Sequence, residues 1–297
     1  MDYNAFCNVL NKQIFNSSKR DLIVKIADNP ERYIGLFRPT TPRAKIIQNL
    51  LQSNEIRFGD ALEILFTKYF EQLGFVNLNR KIGDGKEYLD IDQIFKFGAF
   101  VYFIEQKVRD DHDSTKKRGQ ASNFEKKIAA LLKQYRESEL KCYTYFIDPG
   151  LMKNKKFYKD ELEKIHLNYN VFTKLCYGKE FWDDIGHPEI WSELLQFLKR
   201  WRREIPDMPS VNFDDDASDT FYEIKDIDIS VFNKIFKNDE ICREILPILF
   251  PENKVLQLLH EYFIQKAEQG NIYITLSHKI KRTIERRDHQ GCWLFSI

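Results

Sequence analysis

The stretch YLDIDQIFKFGAFVYFIEQKVR, residues 88–109, predicts a β-hairpin that carries several ionisable side chains. Successive side chains of a strand point to opposite faces of the sheet. Asp90 and Asp92 therefore share one face of the first arm, and Glu105 and Lys107 share one face of the second. The hairpin thus predicts that three carboxylates and one ammonium group converge.

The turn of this hairpin decides which side chains face each other. If the turn is the tight pair at 98–99, Asp92 lies opposite Glu105 and Asp90 lies opposite Lys107. Two facing carboxylates repel each other unless a cation lies between them. Oxygen ligands without histidine or cysteine favour a hard ion such as Mg²⁺, which binds phosphate oxygens directly. The sequence therefore predicts a magnesium site and a phosphodiester substrate.

A Glu-x-Lys triplet alone does not identify a catalytic site. The chain contains four more such triplets, at Glu125-Lys127, Glu139-Lys141, Glu223-Lys225 and Glu252-Lys254. Only the triplet from Glu105 to Lys107 follows an apolar strand, 100–104, and faces an acidic strand upstream. This context favours a catalytic site over the alternative, which is a surface charge ladder.

These residues resemble a known family of nucleases. Asp92 followed by Glu105-x-Lys107 resembles the active-site motif of the PD-(D/E)xK superfamily. The segment RDDHDSTKKRGQ, residues 109–120, is similar to one found in a group of type II restriction endonucleases. The resemblance covers roughly residues 56–180. It implies Mg²⁺-dependent hydrolysis of double-stranded DNA at a specific site.

One position departs from the motif of this superfamily. Ile91 stands where a proline usually precedes the aspartate. The departure leaves two candidates, Asp90 and Asp92, for the principal metal ligand. The expected position of Asp92 opposite Glu105 favours Asp92.

The resemblance also implies roles for residues around the hairpin. Lys107 would orient or deprotonate the attacking water and stabilise the phosphate charge, and the sequence does not separate these roles. Glu63, in a predicted helix over 58–73, is a candidate further acid of the site, or else a solvated or intrahelically paired glutamate. Gln120 opens a predicted helix over 120–136, where related nucleases carry a polar residue that faces the site.

Charge distribution indicates where DNA could bind. The net charge is only +1, because the acidic run at 214–216 offsets separate basic clusters. The candidate phosphate contacts are Lys116, Lys117, Arg118 and Arg109. The basic segment 279–287 is either part of a DNA-binding surface or a solvated helix face.

Other polar residues give weaker signals. The run 110–113, Asp-Asp-His-Asp, is typical of a polar loop, and direct metal binding is the alternative. The remaining histidines have no spacing typical of metal ligands, so we expect them at the surface or in packing.

The order of predicted elements gives the fold class. After the helix over 58–73 and a strand from Phe75, the hairpin is followed by a helix, a strand over 142–148, a helix over 158–166 and a strand over 171–177. This order predicts an α/β (α+β) fold with a mixed central β-sheet flanked by helices. It resembles the restriction-endonuclease-like core, with helical N-terminal and C-terminal additions.

Breaks in the pattern suggest the domain organisation. The expected parts are a helical N-terminal arm (1–55), a catalytic domain (56–205), an acidic linker (206–219) and a mainly helical C-terminal region for DNA binding or dimerisation (220–297). The arm is expected to contain helices over 6–15, 19–27 and 43–51.

Composition indicates an intracellular protein. With 297 residues and 43% hydrophobic content, the chain can bury a proper core. Its five scattered cysteines suggest neither a disulfide framework nor a zinc site. No apolar run approaches the roughly 20 residues of a membrane span, and the N-terminus lacks the features of a signal peptide. We therefore expect a cytoplasmic protein, and the resemblance to type II restriction endonucleases implies a prokaryotic one.

The leading hypothesis is a type II restriction endonuclease that uses Mg²⁺ and acts as a homodimer on palindromic DNA. The resemblance also implies a cognate DNA methyltransferase as its functional companion. A repair or junction-resolving nuclease on the same core is one alternative. A DNA-binding protein without catalytic activity, in which the hairpin carboxylates are structural, is another.

Overall fold

The computed structural model of the chain describes residues 1–15, 18–83, 88–205 and 209–287. The chain forms two compact units. The sheet unit comprises Met1–Gln13 and Arg57–Ile205, and the helical unit comprises Ile14–Ile56 and Pro206–Ile297.

The described helices and strands are numbered in chain order. The helices are α1 (Tyr3–Phe15), α2 (Ser18–Asp28), α3 (Glu31–Ile34), α4 (Pro42–Gln72), α5 (Ser114–Leu131), α6 (Lys155–Tyr169), α7 (Lys179–Asp184), α8 (Pro188–Trp201), α9 (Ala217–Ile224), α10 (Ile229–Lys237), α11 (Asp239–Glu244), α12 (Leu246–Leu249), α13 (Lys254–Gln265) and α14 (Asn271–Glu285). The strands are β1 (Val76–Asn77), β2 (Lys81–Ile82), β3 (Leu89–Asp90), β4 (Gln93–Phe97), β5 (Phe100–Lys107), β6 (Leu140–Phe146) and β7 (Phe172–Tyr177). Short 3-10 helices span Glu137–Glu139 and Ala267–Gln269.

The sheet unit is built on a mixed five-stranded sheet. Its strand order is β1-β4-β5-β6-β7, in which β1, β4 and β5 are antiparallel neighbours and β5, β6 and β7 are parallel neighbours. A separate ladder pairs β2 with β3. The predicted mixed sheet flanked by helices is therefore confirmed.

The hairpin of β4 and β5 has the predicted register. Gln93 lies opposite Ile104 and Phe97 lies opposite Phe100, so the turn falls at 98–99. Gly98 adopts a φ of 59°, which glycine reaches without the steric cost of a Cβ atom.

The two faces of the sheet have different surroundings. Phe103 of β5 stacks on Phe124 of α5 and packs in a core with Ile128 and Leu162. On the other face, Tyr145 of β6 stacks on rings that include Phe66 of α4. Because side chains alternate, Glu105 and Lys107 share the α5 face with Phe103. The core thus directs the charged end of β5 toward α5.

The first arm of the hairpin is interrupted, which corrects one predicted pair. Asp90 lies opposite Lys81 in the β2–β3 ladder rather than opposite Lys107. The change of partner occurs at Ile91, which is buried and whose N–H donates to the carbonyl of Arg80. The face that Asp90 presents therefore cannot be inferred from Asp92 by simple alternation.

The helix after β5 begins earlier than expected. Asp113 caps α5, because its Oδ1 accepts hydrogen bonds from the N–H groups of Thr115 and Lys116. Gln120 consequently lies within α5 and does not open it. The first two turns, STKKRGQ, contain no large apolar residue, so hydrophobic periodicity does not reveal them.

The helical unit has a core of its own. Ile26 of α2, Ile46 of α4, Phe232 of α10 and Leu259 of α13 belong to one buried cluster. The described part of the C-terminal region is mainly helical, from α9 to α14. No described helix is long and apolar enough to cross a membrane.

The predicted linker is packed structure in its described part, 209–219. Val211 and Phe213 are buried in the core of the helical unit. The carboxylate of Asp214 is also buried and accepts hydrogen bonds from the N–H groups of Glu252 and Val255. An acidic run therefore includes one residue whose charge stabilises the start of a helix rather than solubilising a linker.

The predicted N-terminal arm is not one structural piece. Residues up to Gln13 belong to the sheet unit, and 14–56 belong to the helical unit. The predicted helices over 43–51 and 58–73 are parts of a continuous α4, because 52–57 contains neither proline nor glycine. Of the five cysteines, Cys7, Cys142, Cys176 and Cys242 are buried free thiols, while Cys292 lies outside the described residues.

Candidate active site

Four charged side chains meet on the α5 face of the sheet. We call them the carboxylate–lysine cluster, and its members are Asp92, Glu105, Lys107 and Lys127. Asp92 immediately precedes β4, and Glu105 and Lys107 close β5. Three of the four were predicted from the hairpin pattern, and the fold brings them together.

Lys107 bridges the two carboxylates. Its Nζ lies 2.6 Å from Asp92 Oδ2 and 2.9 Å from Glu105 Oε1. The ammonium also donates to the carbonyl of Gln106, and the Gln106 N–H donates to Asp92 Oδ2 at 3.0 Å. Burial lowers the pKa of Lys107, but the carboxylates of Glu105 and Asp92 outweigh it and raise that pKa above its ordinary value. Lys107 is therefore a cation at neutral pH.

Lys127 of α5 enters the same cluster and was missed by the sequence analysis. Its Nζ lies 2.6 Å from Glu105 Oε2 and 3.7 Å from Asp92 Oδ1. The triplet from Glu125 to Lys127 does not follow an apolar strand, so the strand pattern gives it no role. A usable signal was present, because Lys127 occupies a core position in the helical pattern of buried residues in α5.

Glu63 of α4 lies within electrostatic reach of the cluster. Burial, followed by the charge of Asp92, raises the pKa of Glu63 to about 7. Arg80 Nη1 lies 4.0 Å from Glu63 Oε2 and opposes this shift. The backbone of Glu63 is held by Gln93, whose Nε2 donates to the Glu63 carbonyl at 2.6 Å. The base of the hairpin is thereby tied to α4.

The raised pKa of Glu63 predicts a pH-dependent stability. Between its ordinary value of 4.5 and about 7, the folded state binds more protons at Glu63 than the unfolded state does. The protonated Glu63 side chain stabilises the folded state, and this stabilisation is fully present below pH 4.5 and is lost as the pH rises through 7. We expect Glu63→Gln to be more stable than the wild type at pH 8 and similar to it at pH 5, by denaturant unfolding in EDTA. Glu71→Gln, at an exposed position of α4, is the control, and a difference that does not change with pH would contradict the prediction.

Gln120 lies beside the cluster despite its changed position in the helix. It lines a small cavity together with Glu105, Lys107 and Tyr158. The Tyr158 hydroxyl donates to Gln120 Oε1 at 2.6 Å. Helix α6 thus helps to orient Gln120 toward the carboxylates.

The other predicted residues have varied surroundings. Asp90 is exposed in the β2–β3 ladder, opposite Lys81. Lys116 and Arg118 are exposed in the first turns of α5. Lys117 is only half-buried, and its Nζ donates to Asn154 Oδ1 and lies 4.7 Å from the centre of the Phe157 ring. Arg109 is half-buried, and its Nε lies 4.0 Å from Asp111 Oδ2.

Basic residues 279–287 differ in their exposure. Lys281 and Arg282 are exposed on α14, whereas Arg287 is buried and donates from Nη2 to the carbonyl of Phe250 at 2.7 Å. Arg287 therefore has a structural role at the end of this segment.

Asp110 is a structural carboxylate. It is fully buried, and its Oδ2 accepts hydrogen bonds from the Asn154 N–H at 2.9 Å and from the Tyr177 hydroxyl at 2.8 Å. Its Oδ1 accepts a third from Asn154 Nδ2 at 2.9 Å. Asp110 thereby joins the end of β5 to the start of α6 and the end of β7. The polar run 110–113 divides into this buried anchor and the helix cap Asp113.

The donor set of the cluster fits a magnesium ion. The described ranges contain no group of three or more histidine, cysteine, aspartate or glutamate side chains placed to share one metal ion. Mg²⁺ is often held by only one or two carboxylates, with water and substrate phosphate as its other ligands. Asp92 and Glu105 supply two facing carboxylates and no nitrogen or sulfur donor. These two residues could therefore hold Mg²⁺.

Comparison with known proteins gives the family of the chain. The family model described as type II restriction endonuclease, HinfI, matches residues 2–84 and 75–202. The matched ranges cover more than half of the chain and include all four members of the carboxylate–lysine cluster. The comparison with curated proteins finds no match. The chain belongs to the HinfI family of type II restriction endonucleases, which confirms the resemblance seen in its hairpin.

Proposed function

We propose that this protein is a Mg²⁺-dependent endonuclease that hydrolyses phosphodiester bonds at a specific sequence of double-stranded DNA. The observation that carries the proposal is the convergence of Asp92, Glu105 and Lys107 at the end of the hairpin. Two carboxylates and an ammonium in one place combine a site for a divalent cation with a positive charge for a phosphate. The family supports a nuclease, and the site supports this chemistry for it.

Each residue of the site has a distinct role under this proposal. A bound Mg²⁺ supplies polarisation of the scissile phosphate and a coordinated water of lowered pKa. Asp92 and Glu105 hold the ion, and Lys107 stabilises the negative charge that develops on the phosphate. The contacts of the Lys107 ammonium with Asp92 Oδ2 and Glu105 Oε1 place this charge beside the proposed ion, where it can stabilise a phosphate. Glu63 and Gln120 border the site as a further acid and a polar contact.

DNA phosphates are proposed to bind along the start of α5. Lys116 and Arg118 are exposed there, close in sequence to the helix N-terminus that Asp113 caps. Exposed cations favour phosphate. Lys117 and Arg109 are further candidates, although each already has a partner in the fold.

The assembly around this site is also a proposal. A homodimer would match the two-fold symmetry of a palindromic site, and its existence is tested by light scattering with and without duplex DNA. A cognate methyltransferase would protect the same sequence in the host. The activity itself is proposed to operate in a prokaryotic cytoplasm.

The function is tested by incubating the purified protein with several plasmids in Mg²⁺ or in EDTA. We expect discrete fragments in Mg²⁺ alone, with every sequenced end at one short DNA sequence. Plasmids with and without host methylation show whether modification blocks cutting. Cleavage that follows junction shape rather than sequence would instead indicate a repair or junction-resolving enzyme. Duplex binding without cleavage on any substrate would indicate a protein without catalytic activity.

A further inference from the structure

Lys127 occupies a position of α5 where an apolar residue would be expected. Phe124, Ile128 and Leu131 are buried on the same face of the helix. The Lys127 side chain is only 4% exposed, whereas the neighbouring Lys126 is exposed. A lysine is almost never buried this deeply unless its charge is compensated. The burial of Lys127 in the packing of α5 therefore requires a negative charge close to its ammonium group.

The compensating charge comes from both carboxylates of the cluster. Glu105 directs Oε1 to Lys107 at 2.9 Å and Oε2 to Lys127 at 2.6 Å. Asp92 directs Oδ2 to Lys107 at 2.6 Å and Oδ1 toward Lys127 at 3.7 Å. Each carboxylate oxygen thus faces one ammonium, and the cluster of two anions and two cations is neutral.

We propose that Lys127 is a positioning residue of the active site, which holds Glu105 by Oε2 and weakens the affinity of the site for a divalent cation. The inference rests on the proposed function of the cluster. A cation bound between Asp92 and Glu105 needs an oxygen from each, so at least one ammonium must give way. Lys127 then fixes the Glu105 carboxylate in the orientation that presents Oε1.

The different exposure of the two lysines decides which ammonium gives way. The Lys107 side chain is 27% exposed and can turn toward solvent or a substrate phosphate. Lys127 is enclosed by the core of α5 and has no comparable route to water. Lys127 therefore stays on Glu105 as a permanent counter-charge, and Lys107 is the cation that moves to the phosphate.

The proposal is tested by Mn²⁺ binding to the metal-free protein and by the cleavage rate at saturating Mg²⁺. Lys127→Met removes the charge with little change in length, Lys127→Arg keeps it, and the exposed Lys126→Met is the matched control. Asp92→Asn identifies the part of the Mn²⁺ isotherm that belongs to this site. If Lys127→Met does not fold, as judged by thermal melting, Lys127→Gln replaces it.

We expect Lys127→Met to bind Mn²⁺ about tenfold more tightly or better. In the wild type, the Lys127 ammonium and the divalent cation repel each other on the Glu105 carboxylate. Removing this repulsion should increase the affinity by more than the looser orientation of Glu105 decreases it. The cleavage rate of Lys127→Met should fall about 10- to 100-fold, because Glu105 is no longer oriented. Lys127→Arg should retain the weak Mn²⁺ affinity of the wild type and most of its cleavage rate.

Mn²⁺ binding that is unchanged or weaker in Lys127→Met, or a wild-type cleavage rate in that variant, overturns the proposal. A wild type that binds Mn²⁺ through Asp92 yet cuts no duplex counts against the proposed function, while the Mn²⁺ isotherms still decide the role of Lys127.

Discussion

Asp92→Asn should slow DNA cleavage severely, whereas Asp90→Asn should cleave at close to the wild-type rate. Asp92 contacts Lys107 and the backbone of Gln106 within the cluster, while Asp90 is exposed opposite Lys81. Asparagine keeps the shape of the side chain but lacks the charge that a divalent cation requires. We expect a loss on the order of 10³-fold in the cleavage rate for Asp92→Asn, similar to the loss of one electrostatic group in other active sites.

The two substitutions form a matched pair, since each replaces one carboxylate two residues from the other. Lys107→Met should give a loss similar to that of Asp92→Asn, and Lys96→Met, at an exposed position of β4, is its control. Duplex binding in EDTA should persist in all four variants, which separates loss of chemistry from loss of fold. A large loss in Asp90→Asn together with normal cleavage by Asp92→Asn would reverse the assignment of the principal metal ligand.

Asp110→Ala should destabilise the protein strongly without removing any member of the carboxylate–lysine cluster. The substitution takes away the acceptor for the Asn154 N–H, Asn154 Nδ2 and the Tyr177 hydroxyl. Buried donors without an acceptor are costly, so we expect a decrease of about 3 kcal/mol in the free energy of unfolding. For a chain of 297 residues, a loss of this size should lower the unfolding temperature by roughly 5 °C.

The prediction is measured by thermal and urea unfolding, with near-UV circular dichroism as the readout of the aromatic core. Asp111→Ala is the matched control, because its carboxylate is adjacent in sequence but largely exposed. Asp110→Asn should lie between the wild type and Asp110→Ala, since the amide keeps one acceptor oxygen. Equal stability of Asp110→Ala and Asp111→Ala would show that the buried hydrogen bonds contribute nothing measurable.

The sequence predicted the parts of the site that depend on local geometry. Strand alternation and a two-residue turn place Asp92 across from Glu105 and put Lys107 on the same face, and the observed register agrees. Strand alternation gave the wrong partner for Asp90. The strand partner changes at the buried Ile91, and local sequence rules do not predict that change.

Composition and periodicity were less reliable for segments with few apolar residues. The pattern predicts the start of α5 six residues too late because its first turns are polar, and it predicts a linker where Asp214 is buried against a helix. In both segments a carboxylate caps or anchors a helix, so its charge has a local backbone partner rather than only solvent.

The sequence by itself determined the nuclease-like hairpin, the mixed sheet and the register of β4 on β5, because each follows from contacts close along the chain or from the period of the strands. Only the tertiary structure decided that Lys127 faces both carboxylates and that Asp110 is buried against Asn154 and Tyr177. A helix can present a charged residue to water or to another element, and its own sequence does not specify that neighbour. Lys127 meets Glu105 because the apolar face of α5 packs on β5 and brings distant charges to one point.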